Sequence, residues 1–311
     1  MNYFQTVEDR GFVWSVDKLI LDFEFQYDKD TPLKPFDKFM YSDHILLYRY
    51  WMSTGMGVYR YQYSFDCQNG NSFWVGLGFN QPFKKPNFRR GRIEFNPNKV
   101  ADDPVFIKIF QTLFSMKCAP PKIVRYDLAC DIPFERSDVF LQKDKRTYMV
   151  IKNSNSNCTE YLGQKDASGR VKVYNKQLES NLSDALTRIE ITLAGDLEYP
   201  VCRMLWPNVF YIGSGQMRLD GMKLTGTDRY ILLTSFSNME LFGLLGYYER
   251  KKIERIRAEY VQPVEFIEPK LFNKIVSILD LFVKWEYRDV VINPLTFNYA
   301  IDAGELPNAE T

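Results

Sequence analysis

Three short segments near the middle of the chain alternate charged and apolar residues with a period of two. No other feature of the sequence restricts the fold as much. In 123–131 one set of positions is Arg125, Asp127, Ala129 and Asp131, and the other is Tyr126, Leu128 and Cys130. In 171–176, Lys172, Tyr174 and Lys176 oppose Val171 and Val173; in 188–193, Arg188, Glu190 and Thr192 oppose Ile189, Ile191 and Leu193. Alternate side chains of a strand lie on opposite faces, so each segment has one charged and one packing face. An antiparallel sheet with one face on a core accommodates this pattern.

The surrounding sequence extends the sheet and adds helices. Segments 13–21, 147–151 and 159–163 read as strands, 92–96 alternates until an Asn-Pro stop, and 59–79 reads as a hairpin turning at Asn69-Gly70. Asp102, Asp103 and Pro104 open a helix whose apolar residues Val105, Phe106, Ile109, Phe110, Leu113 and Phe114 fall at helical spacing before Pro120-Pro121. A short helix is predicted at 137–142, and longer helical patterns at 237–260 and 269–286. The expected fold class is α+β: largely antiparallel sheet backed by helices, with a helix-rich C-terminal region. The expected division is a β-rich domain at 1–200, a helical region at 201–301 and a flexible acidic tail at 302–311.

Counts exclude several chemistries. His44 is the sole histidine, which closes HEXXH, three-histidine zinc and Cys2His2 sites; any metal would be held by carboxylates. The five cysteines are an odd number without a CxxC pair, which argues against a disulfide framework and for a reducing, cytoplasmic setting. Neither an apolar run of about 18 residues nor a basic-then-apolar leader is present, so neither membrane spanning nor secretion is expected. The 40 basic and 39 acidic side chains give a net charge of +1, so contact with a polyanion depends on local clusters.

The charged strand faces bring together two Asp, one Glu, one Tyr and several cations. A hydroxyl nucleophile beside carboxylates and cations suits phosphoryl transfer, because carboxylates can hold a hard divalent ion and Lys or Arg can stabilise phosphate charge. An unperturbed tyrosine has a pKa of about 10, so attack near neutral pH requires help. The same residues are also compatible with cross-strand charge ladders on a solvent face.

At these residues the sequence resembles the Rep_trans family, the plasmid-type initiation factors of rolling-circle replication. The resemblance rests on four blocks in order: 92–99 (RIEFNPNK), 125–131 (RYDLACD), 161–163 with 170–179 (YLG, RVKVYNKQLE), and 188–193 (RIEITL). Together they span residues 92–193. The resemblance implies an HUH-endonuclease-like nicking domain without a histidine pair. It implies that Tyr174 nicks one origin strand, forming a 5′-phosphotyrosine link and freeing a 3′-OH primer, with Lys176 and Arg188 as catalytic partners. It implies Mg²⁺ or Mn²⁺ on Asp127 and Glu190 with Asp131 behind them, and Glu94 and Glu179 in reserve. The implied partners are double-stranded origin DNA with an extruded hairpin, a second copy of the chain as a homodimer, and a host helicase.

DNA contacts are expected from two basic clusters. One is the loop with Lys84, Lys85, Arg89, Arg90 and Arg92; the other is Arg250, Lys251, Lys252 and Arg255 in the C-terminal helical segment. The turn at Ala167-Ser168-Gly169 precedes the nucleophile strand and bears on how a hairpin tip would meet it. Tyr161 and Tyr248 are alternative nucleophiles, His44 is read as a surface or packing residue, and Cys130 as a core residue. The competing functions are a relaxase of a mobilisable or integrative element and an origin-binding protein that does not nick.

Overall fold

The computed structural model describes residues 6–26, 50–54, 59–79, 88–152, 158–212, 226–237 and 242–284. In chain order the elements are β1 (Val7–Asp9), β2 (Phe12–Gln26), β3 (Tyr50–Thr54), β4 (Tyr59–Asp66), β5 (Ser72–Phe79), β6 (Phe88–Phe95), α1 (Pro97–Val100), α2 (Pro104–Met116) and β7 (Lys122–Ile132). A 3-10 turn (Arg136–Asp138) follows, then β8 (Val139–Leu141), β9 (Tyr148–Lys152), β10 (Cys158–Leu162), β11 (Val171–Asn175), α3 (Lys176–Ser180), β12 (Thr187–Ala194) and α4 (Tyr199–Leu205). The chain continues through β13 (Val209–Ile212), α5 (Gly226–Ser237), α6 (Tyr247–Tyr260), β14 (Val261–Pro263) and α7 (Pro269–Lys284).

Among the described residues the main sheet has 11 strands in the order β3-β4-β5-β6-β2-β7-β12-β11-β10-β9, with β1 paired to β2. A second sheet has the order β14-β13-β8. The main-sheet neighbours pair antiparallel, as do those of the small sheet, and α2 and α7 pack on the main sheet's apolar face, so the α+β expectation holds. The β4–β5 turn lies at Asn69-Gly70, where Gly70 takes a φ of 80° that a side chain would resist.

The period-two alternation places the core. Leu128, Cys130, Ile189, Ile191, Val171 and Val173 are all fully buried on one face. Helix α2 starts where the sequence stops extending: Asp103 caps it, with its carboxylate accepting from Val105 N at 2.9 Å, and Pro104 holds the first turn. Its aromatic stripe meets the sheet and α7, with Phe106 4.7 Å from Phe95 and Phe282 5.1 Å from Phe95, centroid to centroid. Helix α7 contributes Phe272, Ile275, Ile278, Leu279 and Phe282 to this same core. A smaller apolar cluster joins Ile253 and Ile256 of α6 to Leu232 of α5 and Ile212 of β13.

Two sequence expectations change. The helix expected at 137–142 is a 3-10 turn followed by β8, in which Val139 and Leu141 are buried and alternate around Phe140. A run this short satisfies either period, and pairing with β13 decides it. The helical pattern at 237–260 is not one helix: residues 244–246 interrupt it and α6 begins at Tyr247 after Gly246. Lys84, Lys85, His44 and the tail at 302–311 lie outside the described residues.

Candidate active site

Pairing registers assemble the polar face. Strands β7 and β12 align Asp127 with Thr192, Ala129 with Glu190, and Asp131 with Arg188; β11 aligns Lys172 with Glu190 and Tyr174 with Arg188. Strand β10 adds Tyr161 opposite Lys172. On the other side, β2 and β6 extend the face with Lys18 bound to Glu94 at 2.7 Å and Asp22 gripping Arg92 at 2.6 and 3.0 Å.

A bulge in β2 supplies a residue that sequence reading missed. Val16 pairs with Leu128 and Lys18 with Asp127, leaving Asp17 as an extra residue between them. The Asp17 carboxylate accepts from Arg188 Nη1 at 2.7 Å and from Asn96 Nδ2 at 3.1 Å. Asn96 also caps α1, so the 92–99 block is tied to the site through this contact.

Tyr174 and Glu190 form the centre. The Tyr174 hydroxyl donates to Glu190 Oε1 at 2.6 Å, and Lys172 Nζ lies 3.8 Å from the Tyr174 ring centroid and 3.4 Å from Glu190 Oε2. Tyr174 is 4% exposed. Its burial, and then the Glu190 charge, push its pKa well above the usual phenol range despite the opposing pull of Arg188. Burial, followed by repulsion from Asp17, also raises Glu190, against Lys172, Tyr174 and Arg188. A carboxylate raised in this way is a stronger base, positioned on the proton of a hydroxyl that needs one.

The other expected catalytic residues are otherwise engaged. Lys176 is buried at the start of α3, with Nζ 2.5 Å from Glu179 Oε2 and 5.8 Å from the Tyr174 ring centroid. Burial raises the Glu179 carboxyl, but the Lys176 hydrogen bond and charge outweigh it and lower its pKa. Arg188 is 2% exposed and grips both Asp131 oxygens, at 2.5 and 2.6 Å, while its third nitrogen reaches Asp17. Burial works against its charge, but the bonds to Asp131 and the charges of Asp131 and Asp17 raise its pKa.

Of the carboxylates named for a divalent ion, Asp127 and Glu190 border one cavity, but the three do not group to hold a metal. Asp131 is fully engaged by Arg188, Glu190 holds Tyr174, and among the described residues no three His, Cys, Asp or Glu side chains group to hold a metal. As arranged, Asp127, Glu190 and Asp131 do not fit such an ion. Asp127 borders, together with Glu190, a cavity of about 280 Å³ that Arg125, Tyr161, Asp166, Arg170, Lys172 and Thr192 also line. Burial raises its pKa, opposed by Thr192, Arg125 and Lys18.

Among the residues expected to contact DNA, Arg92 is paired with Asp22 and sits 5.9 Å over the Tyr59 ring, while Arg90 is exposed. The side chain of Arg89 lies outside the described residues. On α6, Lys251 is exposed and bonds Glu254 at 2.8 Å, Arg255 is exposed, and Arg250 is half-buried. Tyr248 is 83% exposed, far more than Tyr174.

No family model matches the chain. It is 29% identical over 193 residues to a replication initiation protein of Staphylococcus aureus, covering 58% of each chain. A second Staphylococcus aureus replication initiation protein is 29% identical over 119 residues, 35% of this chain and 37% of the relative. The chain thus spans about three fifths of the first relative's length and less of the second. A rolling circle replication initiator protein from Geobacillus stearothermophilus has 13% identity and a TM-score of 0.37, covering 80% of this chain and 97% of that one. Among the described residues no helix is long and apolar enough to cross a membrane.

Proposed function

We propose that this chain initiates rolling-circle replication by nicking one strand of a replication origin and later rejoining it, with Tyr174 as nucleophile. The observation that carries the reading is the 2.6 Å bond from the Tyr174 hydroxyl to Glu190, made on strands that hold two of the four sequence blocks. Similarity to the staphylococcal replication initiation proteins supports the reaction class.

In this reading Glu190 takes the phenol proton as the Tyr174 oxygen attacks the scissile phosphorus. The bond to the 3′ oxygen breaks, that oxygen takes a proton from water, and the 5′ phosphate stays on Tyr174. Lys172 and Lys176 place positive charge beside the developing phosphorane, Lys176 on turning from its half-exposed Glu179 partner. Arg188 acts as a positioning residue that fixes Asp131, Asp17 and the strands beneath the tyrosine. Because the expected carboxylates do not fit a metal, no step runs through one; the Mg²⁺ or Mn²⁺ requirement is read directly by chelation. Origin contact through Arg90 and α6, pairing of two copies and recruitment of a host helicase complete the proposal.

The 4% exposure of Tyr174 favours a second reading, an origin-binding protein in which this tyrosine only packs. Supercoiled DNA carrying the cognate origin, incubated with natural protein or Tyr174→Phe, with Mg²⁺, Mn²⁺ or EDTA, separates the two. Relaxation with a phosphopeptide on Tyr174 supports nicking; tight binding with no adduct under any condition supports the second reading.

A further inference from the structure

We propose that the open edge of β9 is a docking site for another protein, which adds an extended, acid-flanked segment to the main sheet as one more strand. Strand β9 ends the sheet: β10 pairs with one side of it, and among the described residues no strand pairs with the other. It lies three strands from Glu190, so its occupancy does not depend on whether Tyr174 nicks.

The edge lacks the usual protection. Sheet edges are normally blunted by bulges, prolines or charges within the strand, because open backbone groups invite pairing. Here the register runs without a bulge from Tyr148 opposite Leu162 to Lys152 opposite Cys158, and the one charge stands at the strand's end. Met149, Val150 and Ile151 are 45%, 36% and 46% exposed, and among the described residues no other strand carries a large apolar side chain this exposed. Met149 and Ile151 share one face and Val150 takes the other, so the edge is apolar on both. It is also held in place. Arg146, just before it, bonds the Gly169 and Leu205 carbonyls at 2.7 and 2.9 Å, and the Tyr148 hydroxyl donates to Glu160, which Arg136 grips. A pre-ordered edge loses little freedom on taking a further strand.

Charge selects the occupant. Lys143, Lys145 and Lys152 flank the apolar stretch and are exposed, while Asp144, the acid among them, is closed on Arg146 at 2.6 Å. A second copy of the chain fits poorly. Antiparallel pairing centred on Val150 sets apolar against apolar, but it puts Lys152 opposite Tyr148 of the other copy, where Lys143 Nζ already stands 4.3 Å from the ring centroid. A nucleic acid would use the lysines and leave the apolar side chains and the open backbone groups without partners. An extended peptide meets all three needs: main-chain hydrogen bonds for the edge, aliphatic side chains for both of its faces, and Asp or Glu at its ends for the lysines.

The test uses the full chain with fluorescein-labelled probes read by anisotropy: the acidic strand peptide EDEVTVIVEDE, the same peptide with alternate amides N-methylated, the basic peptide KKKVTVIVKKK, and the oligonucleotide dT12. The acidic peptide should bind, and the N-methylated and basic peptides should bind at least about 10-fold more weakly, as the loss of one or two main-chain or charged contacts predicts. Met149→Glu with Ile151→Glu should weaken the acidic peptide, and Lys145→Glu with Lys152→Glu should invert the order of the acidic and basic peptides. Circular dichroism melting checks that these variants fold. Hydrogen exchange of the natural protein, which needs no variant, should show new protection at 148–152 when the acidic peptide is added. The docking edge is overturned if the acidic peptide shows no saturable binding below about 1 mM, or if the N-methylated peptide binds as well. It is equally overturned if dT12 protects 148–152 in the peptide's place, or if the natural protein sediments as a dimer that Met149→Glu with Ile151→Glu dissociates, which gives the edge to a second copy. Tyr174→Phe should bind the acidic peptide as the natural protein does, so loss of nicking and loss of docking are read separately.

Discussion

Replacing Arg188 with methionine keeps most of the length of the side chain and removes the charge from the most buried ion pair of the site. Asp131 is 4% exposed and both of its oxygens bond Arg188, so Arg188→Met would leave a carboxylate buried without its partner. Asp17 retains Asn96 and has a quarter-exposed side chain, so it adds less to the cost. Breaking a buried pair from one side costs about 3–5 kcal/mol, a large share of the roughly 5–15 kcal/mol that holds a domain folded. At a urea m-value of about 3 kcal/mol/M, the midpoint should fall by about 1 to 1.7 M. Asp131→Leu with Arg188→Met removes both charges, and the double variant should recover most of that loss, giving a coupling of about 2 kcal/mol or more. Urea melts at pH 7 of the natural protein, both singles and the double complete the cycle. A single-variant loss below about 1 kcal/mol, or additive losses, refutes the claim that this pair locks the strands under Tyr174.

Glu190→Gln keeps a hydrogen-bond acceptor for Tyr174 but removes the base, so nicking should fall at least about 100-fold, which a gel assay reads. Because the Glu190 pKa is raised on folding, its stabilising contribution is full below the unfolded value of about 4.3 and is lost as pH rises through the folded value. The melting temperature of Glu190→Gln should therefore gain on the natural protein as pH increases from about 4 to about 8; a constant difference contradicts the raised pKa. Gly195→Ala places a Cβ 2.2 Å from the Ile123 carbonyl oxygen, a backbone clash that should cost about 3 kcal/mol in a denaturant melt. Asp103→Ala removes the α2 cap, and its bonds to Val105 N and Asn69 N, for an expected loss of about 1–2 kcal/mol by the same measurement.

Most of the polar face was legible because strand parity is a local property. Alternation in 123–131, 171–176 and 188–193 placed Asp127, Asp131, Tyr174, Arg188 and Glu190 on one side, and the pairing registers align them there. Parity also set Lys172 beside Tyr174, although the sequence offered no reason to rank it above Lys176. Asp17 was not legible, because the β2 bulge that turns it onto this face depends on pairing with β7.

The sequence by itself determined which segments extend, which coil into helices and which side of each strand is charged, since periodicity, proline and capping residues act over a few positions. Only the tertiary structure decided how those charges divide among partners. Arg188 closes on Asp131 and Asp17, Lys176 on Glu179, and Glu190 is shared by Tyr174 and Lys172. Register, bulges and burial set those distances, and they arise from contacts between strands far apart in the chain.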